Sequence, residues 1–129
     1  MTLGYTATLR NTQLDAITTA VGNAGKLAIY DGTRPATGGT ATNKLAEFTL
    51  GTPFAGAAAA GVLSPTLPSN VTALLTGTAT WYRITTSGGT FVMDGSAGTS
   101  GTDLILNSAA ISSGATVSIT AHTITAGNA

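Results

Sequence analysis

The 129-residue chain has no cysteine, one histidine and very little charge. Without cysteine it can form neither a disulfide framework nor a zinc–thiolate site, and a lone histidine cannot build a histidine-rich metal centre. Only 8% of its residues are charged, and five Lys/Arg balance five Asp/Glu, whereas an average protein has about 25%. So few basic residues give no electrostatic patch for nucleic-acid phosphates. We therefore expect no metal site, no cofactor and no nucleic-acid partner.

Long apolar runs are also missing. No stretch approaches the roughly 18 apolar residues that predict a membrane-spanning helix. The start of the chain, Met1 to Tyr5, has neither the basic residues nor the apolar stretch of a signal peptide. We expect a soluble protein that is made without secretion and has no membrane partner.

Small residues take the place of charged ones. The chain has 26 threonines, 22 alanines and 17 glycines, which together make up half of it. The remaining larger apolar residues suffice for one modest core. Since a net charge near zero removes the repulsion that keeps monomers apart, two interpretations stay open: the composition is simply tolerated, or partners cover the surface.

One segment has the spacing of a helix. Four apolar residues recur at intervals that place them on one helical face: Leu9, Leu14, Ile17 and Val21. They predict a short helix over 9–21, with Thr8 or Asn11 as its N-cap and Gly22 as its stop. Residues 1–8 then form an N-terminal arm.

From residue 26 onward the pattern is that of short strands separated by turn signals. Strands are expected at 27–30, 45–50, 77–86, 91–93, 104–106 and 116–125. The Ala/Gly-rich stretch 54–61 is expected to be extended chain packed close against a neighbour. The segment 62–68, with its two prolines, is expected to be an edge strand or loop, and 94–102 a glycine-rich loop. Together these elements predict one all-β domain, an antiparallel β-sandwich or jelly roll over 26–125 with a short N-terminal helix.

The last predicted strand contains an irregularity. Val117 and Ile119 alternate inward, and the same alternation would turn Ile124 outward. If Ile124 is buried, the register must slip near residues 120–121, which is what a β-bulge does. His122 would then join Ile124 on the core side.

No motif predicts catalysis. His122 is the only histidine, no G-x-S-x-G sequence surrounds Ser96 or any other serine, and the five acids are dispersed. Asp94 and Asp103 flank the glycine-rich stretch, but two carboxylates cannot complete a calcium shell. We expect a non-enzymatic protein in which His122 lies in the core or at an interface.

The adjacent residues Trp81, Tyr82 and Arg83 leave two alternatives open. On a strand, Tyr82 faces opposite to the other two. If Trp81 is exposed, it forms with Arg83 a sugar or protein contact. If it is buried, Arg83 needs a partner such as Asp31 or Glu47.

Several short motifs follow one another over nearly the whole chain: Leu9-Arg10-Asn11 with Leu14-Asp15-Ala16-Ile17, then Leu27-Ala28-Ile29-Tyr30-Asp31-Gly32 and Pro35, then Trp81-Tyr82-Arg83-Ile84 and Met93-Asp94-Gly95, and finally Ile111, Gly114, Val117, Ile119 and Ile124-Thr125-Ala126-Gly127-Asn128. In this order they resemble a group of small virion structural proteins of tailed bacteriophages. In that family the position of His122 is often aromatic. The resemblance implies a non-enzymatic virion component, and for small β-sandwich proteins of this kind most often a capsid decoration or cement protein.

Such a protein binds the lattice of the major capsid protein on the capsid exterior, associates with itself as a homodimer or homotrimer, and is made in the host cytoplasm. Candidate partner contacts are Leu3, Tyr5, Arg10, Arg34, Phe54 and Arg83. Two alternatives remain. One is a tail, neck or fibre-associated virion protein. The other is a carbohydrate-binding or adhesin module, which would need Trp81 exposed together with Tyr82 or Tyr30.

Overall fold

The computed structural model describes residues 3–126. Positions 1–2 of the predicted arm and 127–128 of the last motif lie outside this range. The described chain has one helix and twelve short strands: α1 (Ala7–Val21), β1 (Lys26–Tyr30), β2 (Lys44–Thr49), β3 (Val62–Leu63), β4 (Val71–Thr72), β5 (Gly77–Thr78), β6 (Trp81–Thr85), β7 (Phe91–Gly98), β8 (Leu104–Leu106), β9 (Ala110–Ile111), β10 (Thr116–Val117), β11 (Ile119–His122) and β12 (Ile124–Thr125). Within it, no helix has the length and apolar character needed to cross a membrane.

The largest element is a six-stranded sheet in the order β11-β8-β7-β6-β1-β2, and three two-stranded pairs accompany it, β4 with β10, β3 with β12 and β5 with β9. The expected mostly-β chain with one short helix is therefore confirmed. The expectation of purely antiparallel pairing is wrong at one place, because β7 and β8 run parallel. After Gly98 the chain loops round, and it re-enters beside its own strand at Leu104.

The helix begins earlier than predicted. Thr6 is the N-cap, and its hydroxyl accepts a hydrogen bond from Leu9 N at 3.2 Å, so neither Thr8 nor Asn11 caps it. The stop at Gly22 is confirmed, since this residue has φ 70° and its N–H bonds Thr18 O. Leu9 does not share the core face with Leu14 as predicted, because five residues correspond to about 140° of helical rotation; its side chain is 44% exposed.

The main core lies on one face of the six-stranded sheet. It receives Leu27 and Ile29 from β1, Tyr82 and Ile84 from β6, and Phe48 from β2. From the other side, helix α1 and the three short strand pairs contribute the residues Leu14, Val21, Leu63, Val71, Ile111, Val117 and Ile124. We call the face of the sheet that carries this core the inner face, and the opposite face the outer face.

The Ala/Gly-rich segment 54–61 contains no helix and packs against helix α1, but it is extended only as far as Ala59. Ala60 and Gly61 have positive φ and form a tight turn that pairs Ala59 with Val62, so the expectation of extended chain is wrong at its end. Asp15 Oδ1 accepts a hydrogen bond from Ala58 N at 2.8 Å, and Asn11 Oδ1 accepts one from Gly61 N at 2.9 Å. Gly61 has φ 75°, and a Cβ there would overlap the Arg10 guanidinium. The small residues thus allow the backbone to lie directly on the helix.

The predicted bulge in the last strand is confirmed. Between Ile119 and Ala121 the register of β11 against β8 shifts by one residue. His122 is consequently buried at 6% exposure, and Ile124 packs against the main core.

Three predicted strands have wrong boundaries. The last one, expected over 116–125, is divided into β10, β11 and β12, which pair with β4, β8 and β3. The stretch expected as one strand over 77–86 is divided into β5 and β6, because Ala79 N bonds Ala109 O while Thr80 N bonds Tyr30 O. The chain thereby changes partner within two residues. The loop expected over 94–102 begins only after Gly98, because β7 extends through Gly98 and pairs with β6.

Candidate functional site

The outer face of the sheet gathers half of the charged residues of the chain. Alternation along β1 directs Lys26, Ala28 and Tyr30 to this face, and strand register places Thr85, Arg83 and Trp81 beside them. Glu47 lies opposite Ala28 on the other neighbouring strand. With Lys44 and Asp94, five of the ten charged side chains lie here: Lys26, Lys44, Glu47, Arg83 and Asp94.

Stacked rings form the centre of the outer face. The rings of Tyr30 and Trp81 lie 4.4 Å apart at 17°. Trp81 Nε1 donates to Asp31 O and to Thr42 Oγ1, both at 3.1 Å. The loop between β1 and β2 thus covers the indole, which is 1% exposed.

Arg83 joins this loop to the sheet. Its Nε donates to Asp94 Oδ1 at 2.7 Å, and its Nη2 donates to Asp94 Oδ2 at 3.1 Å and to Gly39 O at 2.8 Å. Asp94 Oδ2 in turn accepts from Gly38 N at 3.2 Å. The guanidinium carbon lies 5.2 Å from the ring centroids of both Trp81 and Phe91. The hydrogen bond to Asp94 raises the pKa of Arg83, so the group stays charged.

The alternatives for Trp81 and Tyr82 are now decided. Both side chains are buried, Tyr82 in the main core and Trp81 in a smaller cluster on the outer face. The expectation that a buried Trp81 would pair Arg83 with Asp31 or Glu47 is wrong, because Asp94 lies directly opposite Arg83 in the β6–β7 register.

Beside this cluster an open cavity of about 400 Å³ lies on the outer face. Three cations line it, Lys26, Lys44 and Arg83, together with the carboxylate of Glu47. Lys44 Nζ donates to Glu47 Oε2 at 2.6 Å, and this bond raises the pKa of Lys44. Lys26 Nζ donates to the hydroxyl of Thr49 at 2.8 Å. Since Asp94 neutralises Arg83 and Glu47 neutralises Lys44, the charge of Lys26 is left over.

All five Asp and Glu side chains accept hydrogen bonds from other groups of the chain. Glu47 and Asp94 pair with cations, as described. Asp15 Oδ1 accepts from Ala58 N, and both oxygens of Asp31 accept from Asn43. Asp103 Oδ2 accepts from the N–H and hydroxyl of Ser96, each at 3.0 Å. Glu47 and Asp94 are thus neutralised by cations, whereas Asp15, Asp31 and Asp103 accept from neutral donors, anchor loops and keep their negative charge.

His122 lies on the inner side, away from the cavity. Its Nε2 is 2.9 Å from the hydroxyl oxygen of Tyr82. Burial lowers the pKa of His122 to about 4, against a smaller opposing effect of Asp103, and burial raises the pKa of Tyr82. Two neutral groups therefore share one buried hydrogen bond. Ser96 instead bonds Asp103, so these residues do not form a Ser-His-Asp relay.

The structure distributes the candidate partner contacts over separate elements. Leu3 is 49% exposed near the helix start; Tyr5 and Arg10 are half-buried there, and Arg34 is exposed in the loop after β1. The expectation of a surface contact at Phe54 is corrected, since its side chain is 0% exposed in the main core. Arg83 is half-buried and engaged by Asp94.

Sequence reasoning missed the cavity residues Lys26 and Lys44. Alternation along the strand already places the side chains of Glu47 and Thr49 on the face opposite to that of Phe48. What could not be read was that β1 lies between β2 and β6, which brings Lys26, Glu47 and Arg83 to one place.

Within residues 3–126, no group of three or more His, Asp or Glu side chains is placed to hold a metal ion. No protein-family model, no curated protein and no solved structure matches the chain. A function must therefore be argued from the composition of the surface and the geometry of the outer face.

Proposed function

We propose that this chain is a non-enzymatic structural protein of a tailed-bacteriophage virion, and that it decorates the capsid by binding the lattice of the major capsid protein. It would act on the capsid exterior after synthesis in the host cytoplasm. The proposal draws on the sequence resemblance and on one structural observation, a surface that carries few charged groups and exposes large apolar side chains.

That observation combines two facts. The chain has only ten charged side chains among 129 residues, and four of these ten pair with each other in two salt bridges. Six large apolar side chains in the described part of the chain are at least 37% exposed: Leu3, Leu9, Leu67, Leu74, Leu75 and Phe91. Surfaces depleted of charge and supplied with apolar side chains are typical of the centres of protein–protein interfaces.

A sandwich-like or jelly-roll-like arrangement is part of the proposal. The main core contacts the six-stranded sheet on one side and the pairs β3/β12, β4/β10 and β5/β9 on the other. Two layers around one core make a scaffold that keeps its shape under load. On a lattice, many weak contacts of such a scaffold add up to a strong shell.

The carbohydrate-binding alternative has lost its main support. It required an exposed aromatic platform, but Trp81, Tyr82 and Tyr30 are 1%, 0% and 8% exposed. An enzymatic role for His122 gains no support either, because the hydrogen bond of this residue goes to Tyr82.

The test is the copy number of the chain in purified virions of the phage that encodes it, measured by quantitative mass spectrometry against the major capsid protein. Hundreds of copies in a fixed simple ratio to capsid subunits are expected. A handful of copies would replace decoration with a tail, neck or fibre role. Absence from the particles, with the chain present in the lysate as a control, would overturn a virion role altogether.

A further inference from the structure

The cavity on the outer face has a lining that does not suit an apolar ligand. Small-molecule pockets are lined mainly by hydrophobic side chains with a few polar groups. Here the lining includes the three cations Lys26, Lys44 and Arg83, the carboxylate of Glu47, and the polar residues Thr85 and Ser87. Such a lining recognises a charged group and not an apolar body.

The charge that this lining leaves unsatisfied is positive. Arg83 is paired with Asp94, and Lys44 is paired with Glu47. Lys26 donates to the hydroxyl of Thr49, which uses one of the three donors of its ammonium group. Among the residues that the structure describes, Glu47 is the one carboxylate that lines this cavity.

The mouth of the cavity is open beside the β6–β7 turn. Gly88 and Gly89 of that turn line it. A Cβ at Gly89 would meet nothing within 4 Å, and one at Gly88 would meet only Thr86 Oγ1 at 3.9 Å. The rim therefore leaves space at these two positions for a ligand to approach the lining.

We propose that this cavity binds a carboxylate side chain of an acidic, extended segment of another protein, with Lys26 as the principal donor. Charge complementarity identifies the carboxylate. The choice of a protein segment over a free carboxylate rests on the proposed function, in which the partner is a capsid protein.

The first experiment uses the full chain and two synthetic peptides, one with three glutamates between glycines and one with glutamines in their place. Binding is followed by amide chemical shifts and calorimetry. The glutamate peptide is expected to bind, to shift amides of β1, β2 and the β6–β7 turn, and to weaken as salt is added. The glutamine peptide is expected not to bind.

Two variants at one position test the site. Lys26→Gln should weaken binding of the glutamate peptide by about tenfold, which is the loss of one charge-assisted hydrogen bond. Lys26→Arg keeps the charge and should retain most of the affinity. An unchanged amide spectrum outside the outer face shows that both variants are folded. No binding of the glutamate peptide, or equal binding by wild type and Lys26→Gln, would overturn the proposal.

Two further experiments distinguish a protein carboxylate from a free one, and test the carboxylate site separately from capsid decoration. Glutarate at the same carboxylate concentration should bind much more weakly than the peptide, and equal affinity would rule out a protein segment as the occupant. In co-sedimentation with expanded capsids, equal binding by wild type and Lys26→Gln would refute the site and leave decoration standing. Failure of both to bind capsids, with Lys26-dependent peptide binding, would support the site and refute decoration.

Discussion

Tyr82 and His122 meet in the core through a contact of 2.9 Å between hydroxyl oxygen and Nε2, with their rings edge to face at 87°. The contact depends on the bulge in β11, which turns His122 inward. Two polar atoms are thereby satisfied at a depth where an unpaired one would cost about 1–3 kcal/mol. The pair is a structural element of the core, and it should be visible in the pH dependence of stability.

Stability should fall as the pH drops from about 6.5 to about 4. The folded protein holds the pKa of His122 near 4, below the ordinary value of 6.5, so the unfolded chain binds a proton first. The stability that neutral His122 contributes is fully present above pH 6.5. By pH 4 the free energy of unfolding has fallen by roughly 3 kcal/mol. Urea denaturation at several pH values measures it. In His122→Phe the free energy of unfolding should change less between pH 6.5 and pH 4. An equal pH dependence in both proteins would contradict the lowered pKa of His122.

Gly95→Ala should destabilise the protein by about 2 kcal/mol, as overpacking of a core does. A Cβ at this position would lie 2.5 Å from Tyr82 Cε1 and 2.7 Å from Cζ. The ring cannot retreat easily, because it is 0% exposed and its hydroxyl is bonded to His122. Gly56→Ala is the control, since a Cβ there meets nothing within 4 Å. Thermal unfolding of both variants should show a loss for Gly95→Ala alone.

Asp94→Asn should cost about 2–4 kcal/mol, because it leaves Arg83 without its counter-charge in a largely buried place. The side chains of Arg83 and Asp94 are 13% and 5% exposed. The same change should loosen the loop over Trp81, the only tryptophan, and its fluorescence should shift to the red and become more accessible to acrylamide.

The control for this prediction is the other ion pair of the outer face. Lys44 and Glu47 are 41% and 34% exposed, so Lys44→Gln should cost less than about 1 kcal/mol. Equal losses for Asp94→Asn and Lys44→Gln would show that the Arg83–Asp94 pair does not hold the loop.

The sequence allowed local features to be predicted where a short pattern decides them. The slip near residues 120–121 is the condition for Ile124 to reach the core, and the absence of a helix over 54–61 follows from glycines that interrupt too short an alanine run. The elements that could not be predicted depend on distant chain segments. Trp81 is buried only because the β1–β2 loop covers it, and Asp94 is the partner of Arg83 only through strand register.

The cavity illustrates the same limit. Lys26 and Glu47 were each assignable to one side of a strand, but their meeting point depends on β1 lying between β2 and β6. Parallel pairing of β7 with β8 was equally hidden, because a five-residue connection usually predicts a hairpin.

Self-association of the isolated protein should increase with concentration. The net charge is zero and only ten residues are charged, so repulsion between copies is weak. Leu74 and Leu75 are adjacent and 55% and 48% exposed. Light scattering over a concentration series should detect dimers or trimers, and Leu74→Lys should reduce them. A monodisperse monomer at all concentrations would argue against a surface that partners cover.

Asn11 and Asp15 should hold the Ala-rich segment on helix α1. They lie one turn apart and accept from Gly61 N and Ala58 N at 2.9 and 2.8 Å. Asn11→Ala and Asp15→Ala should each cost about 1–2 kcal/mol, because each leaves a part-buried N–H without its partner. Hydrogen exchange should accelerate at Gly61 in the first variant and at Ala58 in the second. Thr12→Ala is the control, since this hydroxyl bonds Thr8 O within the helix; both amides should stay protected in this variant. If exchange at Gly61 and Ala58 also accelerates in Thr12→Ala, the helix as a whole anchors the segment, and not these two side chains.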